Sequence, residues 1–113
     1  MILMTLKKVC STTDIPKNSV KAFKVDNLDI AIVNSEGKFY AIDRACTHMK
    51  GNLAKGTIEG KTIKCPLHGT VFNLETGDVL KEPGTIACKL KKATKTNTYI
   101  VKTKDNFLYI EAP

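Results

Sequence analysis

The sequence predicts an all-β fold: an antiparallel β-sandwich or barrel-like basal domain with a small subdomain inserted into it. Three observations support this. Apolar and polar residues alternate with period two, as in Thr98-Tyr99-Ile100-Val101-Lys102 and Lys61-Thr62-Ile63-Lys64, the pattern of half-buried strands. Many short runs of this kind follow each other closely, separated by turn residues, which favours a sandwich or barrel. No convincing helix appears anywhere in the 113 residues.

The strands expected, in order, are Ile2–Val9, Val20–Val25, Leu28–Val33, Lys38–Ile42, Thr62–Cys65, Thr70–Asn73, Ile86–Leu90, Tyr99–Thr103 and Phe107–Glu111. Asn34-Ser35-Glu36-Gly37 can join two antiparallel strands, and Asp26-Asn27 and Lys104-Asp105-Asn106 have tight-turn chemistry. Between Arg44 and Gly84 the pattern changes. This stretch holds six of the seven glycines (Gly51, Gly56, Gly60, Gly69, Gly77 and Gly84) together with Pro66 and Pro83. Glycine permits close backbone approach, which loops wrapped around a buried object require. The chain therefore reads as one domain over 1–113, with basal sheets from about 1–43 and 85–113 and the small subdomain over about 44–84.

Composition narrows the class. Hydrophobic residues are 42% and charged residues 26% of the chain, which excludes collagen, low-complexity disorder and a coiled coil. The longest apolar runs, Met1–Met4 and Ile30–Val33, fall far short of the roughly 20 residues a membrane-spanning helix needs. With no export signal in view, a cytoplasmic location is expected. The net charge of +7 is uneven: residues 81–104 hold seven lysines against Glu82, while the first 43 residues are nearly balanced. Such an excess attracts nucleic acid, anionic lipid or an acidic protein, and reads equally as a solvated lysine face.

Four cysteines and two histidines are more telling than the charge. Cys46, His48, Cys65 and His68 lie in two tight groups, with Cys10 and Cys88 apart. Two thiolates and two imidazoles suffice for one zinc ion or one iron–sulfur cluster. The pattern is Cys46-Thr47-His48, sixteen residues, then Cys65-Pro66-Leu67-His68. Structural zinc pairs usually leave two to four residues between ligands, and Cys46 and His48 leave one. In a two-iron cluster the members of a pair need not share a metal. Cys46 and Cys65 can then bind one iron, and His48 and His68 the other.

Cys-Thr-His, then Leu53 and Gly56, then Cys-Pro-Leu-His-Gly, continuing through Phe72, Thr76-Gly77 and Pro83, resembles the signature of Rieske [2Fe–2S] proteins, most closely the small soluble Rieske ferredoxins. The resemblance covers most of the chain. It implies a cluster at one tip, held by two ligand loops, with a third loop at Pro83-Gly84 beside them. Cytochrome bc-type Rieske subunits bear a disulfide between the ligand loops; the matching positions here are Gly51 and Leu67, so no bridge is expected. Those subunits also offer serine and tyrosine hydroxyls to the cluster sulfurs, where this chain has Thr70 and Phe72. With Phe72 unable to donate, the expected potential lies low in the Rieske span of about −150 to +300 mV.

The resemblance also explains the histidines. Two thiolates and two neutral imidazoles leave an oxidised cluster uncharged, so an added electron costs less electrostatic work than on a four-thiolate site. The electron is expected on the histidine-bound iron, with the ring edges of His48 and His68 as its exit and with proton uptake above neutral pH. Leu67 is expected to shield the cluster; Met49 reads equally as a shield or an ordinary hydrophobic contact. Arg44 reads as a surface ion pair, with charge stabilisation of the cluster as the alternative. Cys10 and Cys88 read as buried thiols, with a disulfide between them the less favoured alternative in a reducing compartment. Phe23, Phe39, Tyr40, Tyr99, Phe107 and Tyr109 read as core or sheet-face residues.

Three functions compete. The first is a one-electron carrier that serves a separate reductase and an acceptor oxidoreductase such as an oxygenase, docking through surface lysines, with no catalysis of its own and no membrane partner. The second is a zinc-stabilised binding module. The third is a small basic β-barrel that binds nucleic acid, motivated by the lysines at 89–104. Arginine is nearly absent and aromatics are not interleaved with the lysines, which disfavours the third. No flavin or nicotinamide fingerprint is present, and the acceptor's identity is not written in the chain.

Overall fold

The computed structural model describes residues 5–47, 51–67, 69–81 and 94–112. Eleven strands lie among the described residues: β1 (Thr5–Ser11), β2 (Ser19–Val25), β3 (Leu28–Ser35), β4 (Lys38–Asp43), β5 (Thr57–Glu59), β6 (Thr62–Lys64), β7 (Val71–Asn73), β8 (Val79–Lys81), β9 (Thr98–Tyr99), β10 (Val101–Lys104) and β11 (Phe107–Ala112). They form three sheets, ordered β1-β11-β10, β2-β3-β4-β9 and β5-β6-β7-β8. Every pairing is antiparallel. The fold is all-β, and none of these sheet orders closes into a barrel among the described residues. No helix among the described residues is long and apolar enough to cross a membrane.

Local chemistry sets the hairpins. Glu36 and Gly37 both take positive φ, at 52° and 91°, between β3 and β4. Asp105 and Asn106 do the same at 52° and 67° between β10 and β11. Paired positive φ values match the right-handed twist of the strands that such turns join.

The middle sheet explains the apolar run in β3. Ile30 and Ile32, with Ala41 of β4, pack against Leu108, Ile110 and Ala112 of the first sheet. Ala31 and Val33, with Tyr40 and Ile42, pack against Leu53, Ile63, Phe72 and Leu74 on the other side. Side chains alternate between faces, so a strand covered on both sides reads as continuously hydrophobic. The third sheet is therefore mounted on the middle one through a shared core. Polar ties reinforce the mount: Ser35 Oγ donates to the Gly60 carbonyl (2.6 Å), and Glu75 pairs with Lys61 (3.2 Å) and Lys38 (3.5 Å).

Several expectations need correction. The single run Tyr99–Thr103 is two strands. Ile100, 59% exposed, breaks it, so that β9 pairs with β4 and β10 with β11. Strands β5 and β8, of three residues each, were not expected. Cys10 is half-buried rather than buried and carries a free thiol beside the bulge at Val9. Burial, then the charge of Asp14, pushes that thiol's pKa up. The strand expected at Ile86–Leu90, the Pro83-Gly84 loop, Met49 and Cys88 lie outside the described residues.

Candidate metal centre

The first cysteine loop leaves β4 and folds back on itself. Arg44 N–H donates to the Asp29 carbonyl (3.0 Å), and Leu53 N–H donates to the Arg44 carbonyl (2.8 Å). Further out, Ala45 bridges Asn52, and Cys46 N–H donates to the Gly51 carbonyl at 2.7 Å. The loop's return is a 3-10 turn at Leu53–Lys55, capped by the Asn52 side chain, which accepts from Ala54 N–H at 3.0 Å. Leu53 anchors that turn in the core. The Arg44 guanidinium grips Asp29 through two hydrogen bonds, at 2.8 and 2.6 Å, and holds that carboxyl below its ordinary range. This is the surface ion pair expected for Arg44.

The second loop joins β6 to β7. Cys65 N–H donates to the Thr70 carbonyl (2.8 Å), and Gly69 N–H donates back to the Cys65 carbonyl (3.1 Å). Gly69 sits at φ 80°, a conformation in which a side chain is strained.

These two loops meet. Cys46 and Cys65 are both buried in the same apolar cluster with Leu53, Ile63, Phe72 and Leu74. Gly51 lies at their junction: a Cβ there would stand 2.6 Å from Cys65 Sγ and 3.1 Å from Leu67 Cβ. Leu67 is 50% exposed, so it covers its surroundings only in part. His48 and His68 lie outside the described residues.

Two further features bear on what the pocket could hold. Thr70 is fully buried, and its hydroxyl has no hydrogen-bond partner among the described residues. A buried hydroxyl without a partner costs about 1–3 kcal/mol, so its presence points to an acceptor that belongs beside it. Phe72, also fully buried, offers only a ring. Two buried thiols, a side-chain-free approach at Gly51 and an unpartnered donor fit the sulfur-ligated side of an iron–sulfur cluster.

The family model for the Rieske [2Fe-2S] domain matches residues 5–103. The chain belongs to the Rieske family. The 3-phenylpropionate/cinnamic acid dioxygenase ferredoxin subunit of Photorhabdus laumondii is 33% identical, over 90% of this chain and 90% of its own. A ferredoxin of Sphingomonas yanoikuyae B1 superposes with a TM-score of 0.81 at 25% identity, covering 96% of this chain and 100% of that one. A chain from the complex of reduced oxygenase and oxidized ferredoxin in carbazole 1,9a-dioxygenase gives 0.75 at 28% identity, covering 94% and 92%. This Rieske protein is thus a ferredoxin-type electron carrier rather than a catalyst.

Some positioning contacts of the Rieske domain escaped the sequence reading. Thr47, between Cys46 and His48, donates its hydroxyl to the Thr94 carbonyl (2.5 Å) and accepts from Thr94 N–H (3.0 Å). Asp43, at the root of the same loop, accepts from Tyr99 Oη (2.6 Å) and Asn97 Nδ2 (2.9 Å). Burial first, then Asp43, pushes the Tyr99 phenol's pKa up. Gly77 packs directly against the Thr96 carbonyl, and Thr96 N–H donates to the Gly77 carbonyl at 2.9 Å. These contacts tie segment 94–99 to the first loop and to the turn after β7. Each joins residues far apart in sequence, and no local pattern announces them.

Proposed function

We propose that this ferredoxin takes single electrons from a separate reductase and delivers them to an oxygenase component, using one [2Fe–2S] cluster held by Cys46 and Cys65 on one iron and His48 and His68 on the other. When bound, the cluster supplies a site that gains and loses one electron at a time. The observation that carries the reading is the burial of both thiols in one apolar cluster, joined through Gly51. The wall of Leu53, Ile63, Phe72 and Leu74 keeps water from the thiols, and the Thr70 hydroxyl, without a partner among the described residues, would be the donor to a sulfur of the bound cluster. Phe72 adds no second hydrogen bond, which favours a potential in the low part of the Rieske span.

The same reading assigns about 44–84 to a cluster-binding subdomain and about 1–43 and 85–113 to a basal sandwich. Its support is the position of β5–β8 within the first range and the core shared by the first two sheets. The same reading places the protein in the cytoplasm; the free thiol of Cys10, which reducing compartments favour, supports it.

The test is an absorption spectrum of anaerobically purified protein, with iron and labile-sulfide analysis. Visible bands that bleach with dithionite are expected, with near-complete loss of iron in Cys46→Ser and Cys65→Ser. A colourless protein lacking iron and sulfide after anaerobic reconstitution would sink the proposal, and zinc in its place would establish the binding-module alternative.

A further inference from the structure

The outward face of the third sheet is basic at one end only. Register places Thr57, Lys64, Val71 and Lys81 side by side across β5, β6, β7 and β8. The next row, Ile58, Ile63, Phe72 and Val79, faces inward and packs in the core. Because side chains alternate along β5, β6 and β7, Thr57, Lys64 and Val71 face away from the core. In β8 the extra residue Leu80 shifts the alternation and brings Lys81 opposite Val71. Lys64 and Lys81 are exposed while Val71 is half-buried. Glu59 stands at the other end of this face, paired with Thr62.

The basic end adjoins the cysteine loop. Lys64 immediately precedes Cys65, and Val71 follows Thr70. Lys64 Cε lies 3.4 Å from where a Cβ of Gly69 would stand, so its stem lies along the second loop. Leu67 in that loop is 50% exposed, and Leu80, the unpaired residue of the β8 bulge, is 54% exposed. Lys64 and Lys81 have no ion-pair partner among the described residues, whereas Lys38, Lys61, Lys95 and Lys102 each face a carboxylate.

We propose that this face docks an acidic surface of the electron acceptor, whose carboxylates pair with Lys64 and Lys81 while apolar side chains meet Val71 and Leu67. The inference rests on the electron-carrier reading and specifies which side of the molecule the acceptor meets. Two cations beside the cysteine loop, without an ion-pair partner among the described residues, concentrate anionic partners there and speed encounter at low salt. The exposed leucines supply apolar contact that charge alone does not.

Stopped-flow oxidation of the reduced holoprotein tests the proposal, with anionic ferricyanide and cationic tris(phenanthroline)cobalt(III) as acceptors and poly-L-glutamate as the acidic competitor. At low ionic strength K64E/K81E should slow ferricyanide about tenfold and accelerate the cobalt complex, with K64Q/K81Q intermediate. K102E/K104E makes the same change of net charge on the far sheet and should track wild type. Poly-L-glutamate should slow ferricyanide oxidation of wild type and leave K64E/K81E unaffected. Equal effects from the two double variants, or equal inhibition of wild type and K64E/K81E by poly-L-glutamate, would overturn the docking face. A reduction potential displaced in K64E/K81E enough to explain its rates would do the same, by assigning Lys64 to the cluster rather than to a partner. If wild type itself shows no reducible visible band, the electron-carrier reading fails instead, and the two failures are thereby distinguished.

Discussion

At Gly51 an alanine methyl would stand 2.6 Å from Cys65 Sγ, closer than any real contact. That sulfur belongs to a buried side chain of the second loop, so Gly51→Ala forces a shift where the two loops meet. Overpacking of this kind costs about 1–3 kcal/mol, and the expected outcome is a lower iron content per chain together with a lower Tm, read by metal analysis and calorimetry. Thr70 poses the complementary case. Its hydroxyl is buried without a partner among the described residues, and a hydrogen bond to a cluster sulfur stabilises the reduced, more negative state. Thr70→Val should therefore lower the midpoint potential by an amount on the order of tens of millivolts, while Thr70→Ser holds it near wild type. Protein-film voltammetry reads both. That Thr70 and Phe72 matter was legible from their place after the Cys-Pro-Leu-His-Gly run; that Gly51 abuts Cys65 was not, because the two are joined only by folding.

Among the elements, the hairpins were the most legible. Glu36-Gly37 and Asp105-Asn106 lie where their neighbours in sequence put them, since a two-residue turn is decided by the residues in it. The run through Ile100 was misread as one strand because alternation says nothing about which sheet a strand joins. Segment 94–99 likewise has a role invisible in its own residues: Thr94 engages Thr47, and Asn97 and Tyr99 engage Asp43. Thr47→Val removes both bonds to Thr94 with little change of volume. It should shorten the lifetime of the cluster in the presence of a chelator several-fold, at about 1 kcal/mol per lost bond, whereas Thr47→Ser should restore it. Bleaching of the visible bands against time measures this.

For the molecule as a whole, the third sheet has no private core among the described residues. Ile63, Phe72 and Leu74 pack on Ala31, Val33 and Ile42 of the middle sheet, so the two should unfold together. Visible absorbance and far-ultraviolet circular dichroism of the holoprotein are expected to report one coincident transition. Acid should weaken the joint between the sheets. The hydrogen bond from Lys61, then its charge, holds the Glu75 carboxyl below its ordinary value of 4.5. A depressed folded-state pKa gives a stabilisation that is present in full above the unfolded value and is lost as pH falls through the folded one. The apparent Tm should accordingly decline below about pH 4.5, and Glu75→Gln should flatten that decline.

The amino-acid order alone determined the chemistry: which thiols and imidazoles are grouped, which hydroxyl is missing at Phe72, which residues turn each hairpin, and hence the family. These are properties of single residues and near neighbours, readable wherever the chain goes. Only the tertiary structure decided that Gly51 presses on Cys65, that Thr47 is clamped by Thr94, that Ile100 passes the chain between sheets, and that Lys64 and Lys81 flank Val71 in one outward row. Those facts depend on register and on contacts between distant segments, whose closure is set by how the whole core packs.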